Sequence, residues 1–525
     1  VTFTSPIIEW APLAPVLIVL GAGVVGILIE AVGPGVVARR RLQTGLALLA
    51  VVAGAITAAL QWVVFEGSGV KIIGNAVASR LVSDRQSLAW EVMIAFFGLM
   101  ALLLFSSRVD GEGPFTPALA TAPGSAEERE ATRKGFEQTE VFPLALFAIG
   151  GMMLFSMTSD AIVLFVVLEL FSLPLYILVA MARRRRLLSQ EAALKYFLMG
   201  AFSSAIYLFG VALIYGGSFT TTFSGIDQDY AIVHGREPLV LIGAILMLVG
   251  LLFKLGAVPF HSWIPDVYQG APTPVTAFMA AATKAAAAAA LLRFVYVALY
   301  RLEWDLAPMF WTVAIATMVV GTIAAIVQTD IKRMLAYSSI AHAGFILVAV
   351  TSFQREALSA VPFYLLAYGL ATLGAFAVVG QVREVTKNGS LGAEATRLGQ
   401  WAGLGHRSPW LASAMGFFLL SLAGIPLTAG FVAKFVAFKA AVAAGAWPLV
   451  VVAVVASAAA AFFYIRVIVL MFLTPVPEDL KDAVEVTESS GTTLVVAIAA
   501  LGTLILGVLP AAVLSLATTA ASLIP

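Results

Sequence analysis

The sequence predicts an all-α polytopic membrane protein of about fourteen transmembrane helices, and three observations carry that reading. Hydrophobic residues fill 61% of the 525 positions and charged residues only 12%, about half the charged share of a soluble domain. Apolar runs of roughly 18 to 25 residues recur along the chain, the length that crosses a hydrocarbon core of about 30 Å. The alternating pattern of barrel strands is absent, so backbone groups in lipid must be satisfied within helices. The spans centre near residues 21, 53, 96, 149, 171, 203, 248, 284, 316, 342, 371, 424, 460 and 503.

The first run, from Ala11, follows Glu9 rather than a basic region and has no small-residue cleavage site after it, so it reads as a retained helix. Orientation follows from the loops. With the N-terminus outside, about 18 Lys and Arg fall in cytoplasmic loops and about 7 in outer ones, and the clusters Arg39 to Arg41 and Arg183 to Arg186 both face the cytoplasm. An even number of spans then puts both termini on the outer side.

Residues 1–140 hold three spans and a cytoplasmic insertion from Arg108 to Glu140 that reads as a solvated loop. Residues 141–296 and 306–473 read as two five-helix repeats, and 474–525 as a cytoplasmic connection, acidic from Pro477 to Glu488, with a last span. The fourth member of each repeat is long, interrupted by Gly or Pro, and carries a lysine: Lys254 with Pro259 after it, and Lys434 after Gly424, Pro426 and Gly430. Five spans is an odd number, so the repeats must be inverted, and paired broken helices point to a transport path near the midplane.

Several chemistries are excluded. A net charge of +1 argues against a nucleic-acid partner, and with no cysteine the chain has no disulfide, thiol centre or iron–sulfur ligand. There is no Walker loop, HExxH or CxxC, and four histidines without clustering offer neither haem nor metal site, so no cofactor is expected on this chain. Gly21 to Gly26 fits GxGxxG by spacing, but inside an apolar span it reads as helix packing, as does the run Ala285 to Ala290.

What remains is a set of ionisable residues in lipid-depth sequence. A lysine at a helix centre costs roughly 2.5–3.5 kcal/mol, so Lys254, Lys284 and Lys434 with Glu169 ask for something on the order of 10 kcal/mol, which structure alone seldom retains. An ion pair at about 5 Å and an effective dielectric near 20 is worth roughly 3 kcal/mol. Making or breaking a pair between Glu169 and a buried lysine would therefore load or unload a proton; whether the partner is Lys254, Lys195 or another residue is open at this level. His261 and His342 add imidazoles, the side chain that titrates closest to neutral pH. Each could equally be a packing residue, and Lys195, one turn inside its span beside Glu191, could reach the surface. Arg293 and Arg466 are poorer candidates because guanidinium does not release its proton.

These residues carry a resemblance. FKLGAVPFHSWIPDVYQGAPTPVTAF followed by ATKAAAAAALLRF resembles the signature of the antiporter-like, proton-translocating subunits of respiratory complex I, the NADH-quinone oxidoreductase. Within them the turn VYQGAPTPV is similar to the N type. LELFSLPLYILVA around Glu169, IKRMLAYSSIAHAGF around His342 and GIPLTAGFVAKF around Lys434 extend the match from the fourth span through the thirteenth. The M type is expected to carry glutamate where Lys434 stands, and the L type to end in a long lateral helix.

The resemblance implies roles. Glu169 and Lys254 form the charge pair of the first half-channel, Lys284 is the central relay, Lys434 the exit-side lysine of the second half-channel, and His342 links the halves. It further implies a bacterial inner (plasma) membrane, M-type and K-type subunits as neighbours, and flavin mononucleotide, iron–sulfur clusters and quinone in partner subunits. The expected function is outward proton translocation coupled to electron transfer from NADH to quinone. The alternatives are a subunit of a multisubunit cation/proton antiporter, which shares the fold and the lysines, and a non-transporting scaffold.

Overall fold

A computed structural model describes residues 8–523 apart from 34, 65–69, 75–78, 110, 123–124, 135, 231–234, 387–388 and 478–482. The N-terminal group is α1 (Trp10–Val32), α2 (Val36–Val64), a hairpin of β1 (Val70–Gly74) and β2 (Ser79–Ser83), and α3 (Arg85–Ser106). Asp84 caps α3 by accepting from the Ser87 amide at 2.8 Å, which satisfies one of the free N–H groups of the first turn. A short helix α4 (Ala126–Arg133) follows in the insertion.

The next group is α5 (Val141–Ser156), α6 (Ala161–Val179), α7 (Arg186–Ser218), the short α8 (Phe223–Tyr230), a broken helix α9 (Glu237–Leu255) and α10 (Trp263–Gly270), then α11 (Thr273–Phe278) and α12 (Lys284–Arg293). A π-helical turn, Met279–Thr283, joins α11 to α12 immediately before Lys284, and such turns recur at functional positions. The following group is α13 (Glu303–Ile326), α14 (Ile331–Val350), α15 (Arg355–Gln381), β3 (Val382–Val385), β4 (Leu391–Glu394), the short α16 (Leu404–Arg407), a second broken helix α17 (Pro409–Ala423) and α18 (Ala429–Ala443), and α19 (Trp447–Leu473). The chain ends in β5 (Val484–Val486), α20 (Ser490–Val508) and α21 (Ala511–Ala520).

Among the described residues, twelve helices are long and apolar enough to cross a membrane. Those twelve, the shorter α5 and the broken pair α17–α18 stand at the positions expected from the sequence. Burial sorts them. The segment Thr273–Ala298 is buried along its whole spanning window and α14 and α15 nearly so, whereas α1, α2, α19 and α20 leave most of their apolar surface outward, where lipid replaces protein. The segment that carries Lys284, with α14 and α15 against it, therefore forms the centre.

Two regions differ from expectation. The insertion is tied down rather than loosely solvated: Arg183 and Arg184 pair with Glu112, Arg186 with Glu128 and Arg108 with Glu137. Clustered arginines repel one another; the insertion's Glu112 and Glu128 neutralise Arg183, Arg184 and Arg186, and Glu384 of β3 neutralises Arg185. The acidic connection lies partly outside the described residues, at 478–482, but its next segment pairs as β5 against β3 in a three-stranded sheet ordered β4-β3-β5. The last span is followed by α21, which is too short to cross and packs on α15 and α3.

Candidate proton-translocation site

The two helix breaks are built alike. α9 stops at Gly256 (φ +86) and α17 at Gly424 (φ +87), both in the left-handed region that a glycine enters without strain and that ends a helix. The expected breaker Pro259 lies three residues past the first stop, exposed in the turn, and Pro426 is likewise exposed in the second. Gly430 allows α18 to touch α17, because a Cβ there would fall 1.8 Å from the Ser421 carbonyl oxygen.

Each stop exposes helix-end carbonyls, and each is met by an ammonium. Lys284 donates to the carbonyl oxygens of Leu255 at 2.8 Å and Ser339 at 2.9 Å. Lys434 donates to those of Leu422 and Ala423, both at 2.9 Å, and to the Ser457 hydroxyl at 2.8 Å. A cation at a helix C-terminus is favoured by the helix dipole, so both charges are held where the break creates a place for them. By its contact with the carbonyls at the break, the counterpart of Lys434 is therefore Lys284, on α12. Lys254, which the sequence pairs with Lys434, sits inside α9 before the stop.

Lys254 is buried, its ammonium makes no hydrogen bond, and it lies 5.2–5.8 Å from the ring centroids of Tyr196, Tyr176, Phe171 and Phe253. Ring faces attract a cation, by about 2 kcal/mol or more when it is desolvated. Glu169 accepts a short hydrogen bond from Ser204, and no ion pair joins it to Lys254 or Lys195. Lys195 is 43% exposed and pairs with Glu191 and Asp266, and Asp266 also binds Arg333 at 2.7 Å, so this lysine belongs to a surface network.

Between the breaks runs a row of polar groups. The Ser338 hydroxyl contacts the Tyr464 hydroxyl, His342 Nε2 lies 3.3 Å from that hydroxyl, and His342 Nδ1 lies 2.7 Å from the hydroxyl of Tyr364. Ser338 adjoins Ser339, whose carbonyl takes Lys284, and a small cavity lined by His342 and Leu422 adjoins the carbonyl that takes Lys434. Every hydroxyl in such a row both donates and accepts, as proton transfer requires. His261 stands apart in the first break, half-buried and unconnected to the row.

Sequence reasoning missed Lys332, which is buried and donates to the Ala271 carbonyl at 2.9 Å and to Thr273 at 3.3 Å. Its position near a span end hid it. It lines a cavity of about 200 Å³ on the arginine-rich face together with Arg183, Arg185, Arg383, Glu112 and Glu394. Burial would raise the Glu394 carboxyl, but Arg383 and Lys332 beside it and a hydrogen bond from Thr273 hold it at about 2. Arg466 donates to the carbonyls of Ile326 and Gln328 and closes the end of α13, and Arg293 pairs with Asp84 in full burial, so both arginines anchor structure. Among the described residues no group of three or more His, Cys, Asp or Glu is placed to hold a metal ion.

Two broken helices meeting buried lysines, joined by a row of hydroxyls and an imidazole, define a membrane subunit of the ion-translocating, antiporter-like class. The family described as NADH:quinone oxidoreductase/Mrp antiporter, transmembrane, matches residues 158–460. The chain is 53% identical to NADH-quinone oxidoreductase subunit N of Beutenbergia cavernae, with 98% of each chain covered, and 47% identical to the same subunit of Mycobacterium tuberculosis, with 99% of each covered. A chain of respiratory complex I from Thermus thermophilus superposes with a TM-score of 0.74 at 33% identity, covering 96% of this chain and 99% of that one. A chain of the Mrp complex from Dietzia superposes at 0.80 with 24% identity and 97% of each chain covered, a likeness of fold. The protein belongs to the family of NADH-quinone oxidoreductase N subunits.

Proposed function

We propose that this subunit moves protons outward across a bacterial plasma membrane through Lys254, Lys284, His342 and Lys434, with Glu169 setting the charge state of Lys254. The observation that carries the route is the row Ser338, Tyr464, His342 and Tyr364 lying between the two lysine-held helix breaks. Proton release outward works against roughly 2.3 kcal/mol per charge per 100 mV. The driving energy comes from electron transfer between NADH and quinone in partner subunits, which hold flavin mononucleotide, iron–sulfur clusters and the quinone. M-type and K-type subunits are its neighbours, both termini face outward, and the arginine-rich cavity faces the cytoplasm. Residues 141–296 and 306–473 act as the two half-channels. Lys195 and His261 serve the mouths of the path and not its centre. The test is His342→Ala in the assembled complex in sealed vesicles: quinone reduction and proton uptake fall together if the row carries protons, and wild-type values of both would remove His342 from the route.

A further inference from the structure

The chamber around Lys254 contains more than the lysine needs as a cage. Tyr176 and Tyr196 are both buried and their rings meet edge to face at 4.6 Å; the Tyr196 hydroxyl completes no hydrogen bond, and the Tyr176 hydroxyl has only the Ser172 hydroxyl, one turn back on α6, as a weak neighbour. A phenol oxygen left unmet, and a second one poorly met, beside an unmet ammonium are expensive to bury unless some state of the protein joins them.

The packing of α6 on α7 shows where the join lies. On α6, Glu169 and Tyr176 are seven residues apart and share one stripe, and a helical side chain leans toward its own N-terminus, which carries the Tyr176 ring toward Glu169. On α7, Tyr196, Gly200 and Ser204 recur at four-residue spacing and form the facing stripe. Ser204 donates to Glu169 at one end of this strip, and Tyr196 lies beside Lys254 at the other. Gly200 is between them, and a Cβ there would fall 2.1 Å from the Tyr176 hydroxyl oxygen and 2.9 Å from its ring carbon. The missing side chain is the seat of that hydroxyl. Ser204 is one turn further on, with Cβ positions about 5–6 Å apart at this spacing.

We propose that the Tyr176 hydroxyl, seated against Gly200, is the bridge through which Lys254 and Glu169 exchange a proton. The proposal rests on the proton-path reading of Lys254. In the joined state the Lys254 ammonium gives a proton to the Tyr176 oxygen, Tyr176 gives its own to the Ser204 oxygen, and Ser204 gives the one it already points at Glu169. Lys254 becomes a neutral amine and Glu169 a neutral acid, and each hydroxyl loses one proton and gains one. A phenol suits the place because it accepts from an ammonium and donates to an amine, whereas a ring face serves only the cation.

The test uses the whole complex in sealed vesicles, comparing Tyr176→Phe, Gly200→Ala and Lys254→Ala at equal complex content. Tyr176→Phe keeps the ring and the cage and removes only the oxygen, and Gly200→Ala keeps every polar group and displaces the hydroxyl. Both are expected to lower coupled turnover on the order of tenfold and to shift its pH profile, which a packing role would leave in place. If Tyr176→Phe and Gly200→Ala keep the wild-type rate and pH profile while Lys254→Ala loses turnover, the bridge is wrong and the lysine path stands. If Lys254→Ala also keeps turnover, the path itself is wrong. Should Tyr176→Phe assemble poorly, Gly200→Ala decides between the same outcomes.

Discussion

The ammonium of Lys284 donates to the carbonyl oxygen of Leu255 at 2.8 Å, at the residue where α9 ends. Lys434 does the same for Leu422 and Ala423 at the end of α17. In both places the break in the helix and the charge that answers it are one device: a glycine with positive φ ends the helix, and a lysine takes the freed carbonyls.

That coupling predicts the effect of Gly424→Ala. A Cβ at 424 would sit 3.0–3.1 Å from the Lys434 side chain, and the left-handed conformation costs a non-glycine residue roughly 1–2 kcal/mol. The expected outcome is a complex that assembles with reduced thermal stability and with proton translocation impaired beyond what the stability loss explains. Turnover at the wild-type level in this variant would mean that the position of Lys434 is not critical.

The two lysines near the first half-channel should behave differently. Lys195 is partly exposed and shares Asp266 with Arg333, and surface pairs of this kind contribute about 0–1 kcal/mol. Lys195→Ala should therefore retain most of the coupled activity while Lys254→Ala loses it. The reverse ranking, measured as NADH-dependent quinone reduction with proton uptake, would overturn the assignment of Lys195 to the surface network.

In full burial the Arg293 Nη2 donates to both carboxylate oxygens of Asp84, and the Arg293 Nε donates to the Ser156 carbonyl at 3.2 Å. Removing one partner from such a pair costs about 3–5 kcal/mol. Arg293→Ala should accordingly reduce the amount of assembled complex rather than the rate per complex, read by comparing complex content with turnover. A fully assembled variant with slow turnover would instead place Arg293 in the translocation chemistry.

Glu394 gives a pH dependence. Its folded value of about 2 lies below the unfolded value near 4.3, so its contribution, about 3 kcal/mol, is fully present above the unfolded value and is lost as pH falls from about 4 through about 2. Glu394→Gln should lower the thermal midpoint of the detergent-solubilised complex at pH 7, and the gap to wild type should close toward pH 2. A gap that stays constant over that range would show that the carboxylate charge is not what holds β4 to Arg383 and Lys332.

The positions of the spans were legible because apolar length is a local property, and the second break was legible because Gly424 itself ends the helix. For the first break the sequence points to Pro259, but α9 stops at Gly256, since ending a helix calls for a positive φ more than for a missing N–H. Partnerships were less accessible. The sequence offers Glu169 and Lys254 as opposite charges, while the fold sets Ser204 against one and four rings around the other, and only the packing of α6, α7 and α9 decides that. Lys332 was missed for a similar reason: its partners, Ala271 and Thr273, come from the α10–α11 junction about sixty residues earlier.

The measurement that bears most directly on the central claim is Lys284→Arg in the assembled complex, following quinone reduction and proton uptake in sealed vesicles. Arginine keeps a positive charge and donors for the Leu255 and Ser339 carbonyls but does not release its proton. If Lys284 carries protons, the variant assembles and both activities fall together. If it assembles and both stay at wild-type levels, Lys284 serves only as a fixed charge at the helix break, and the proton path does not pass through it.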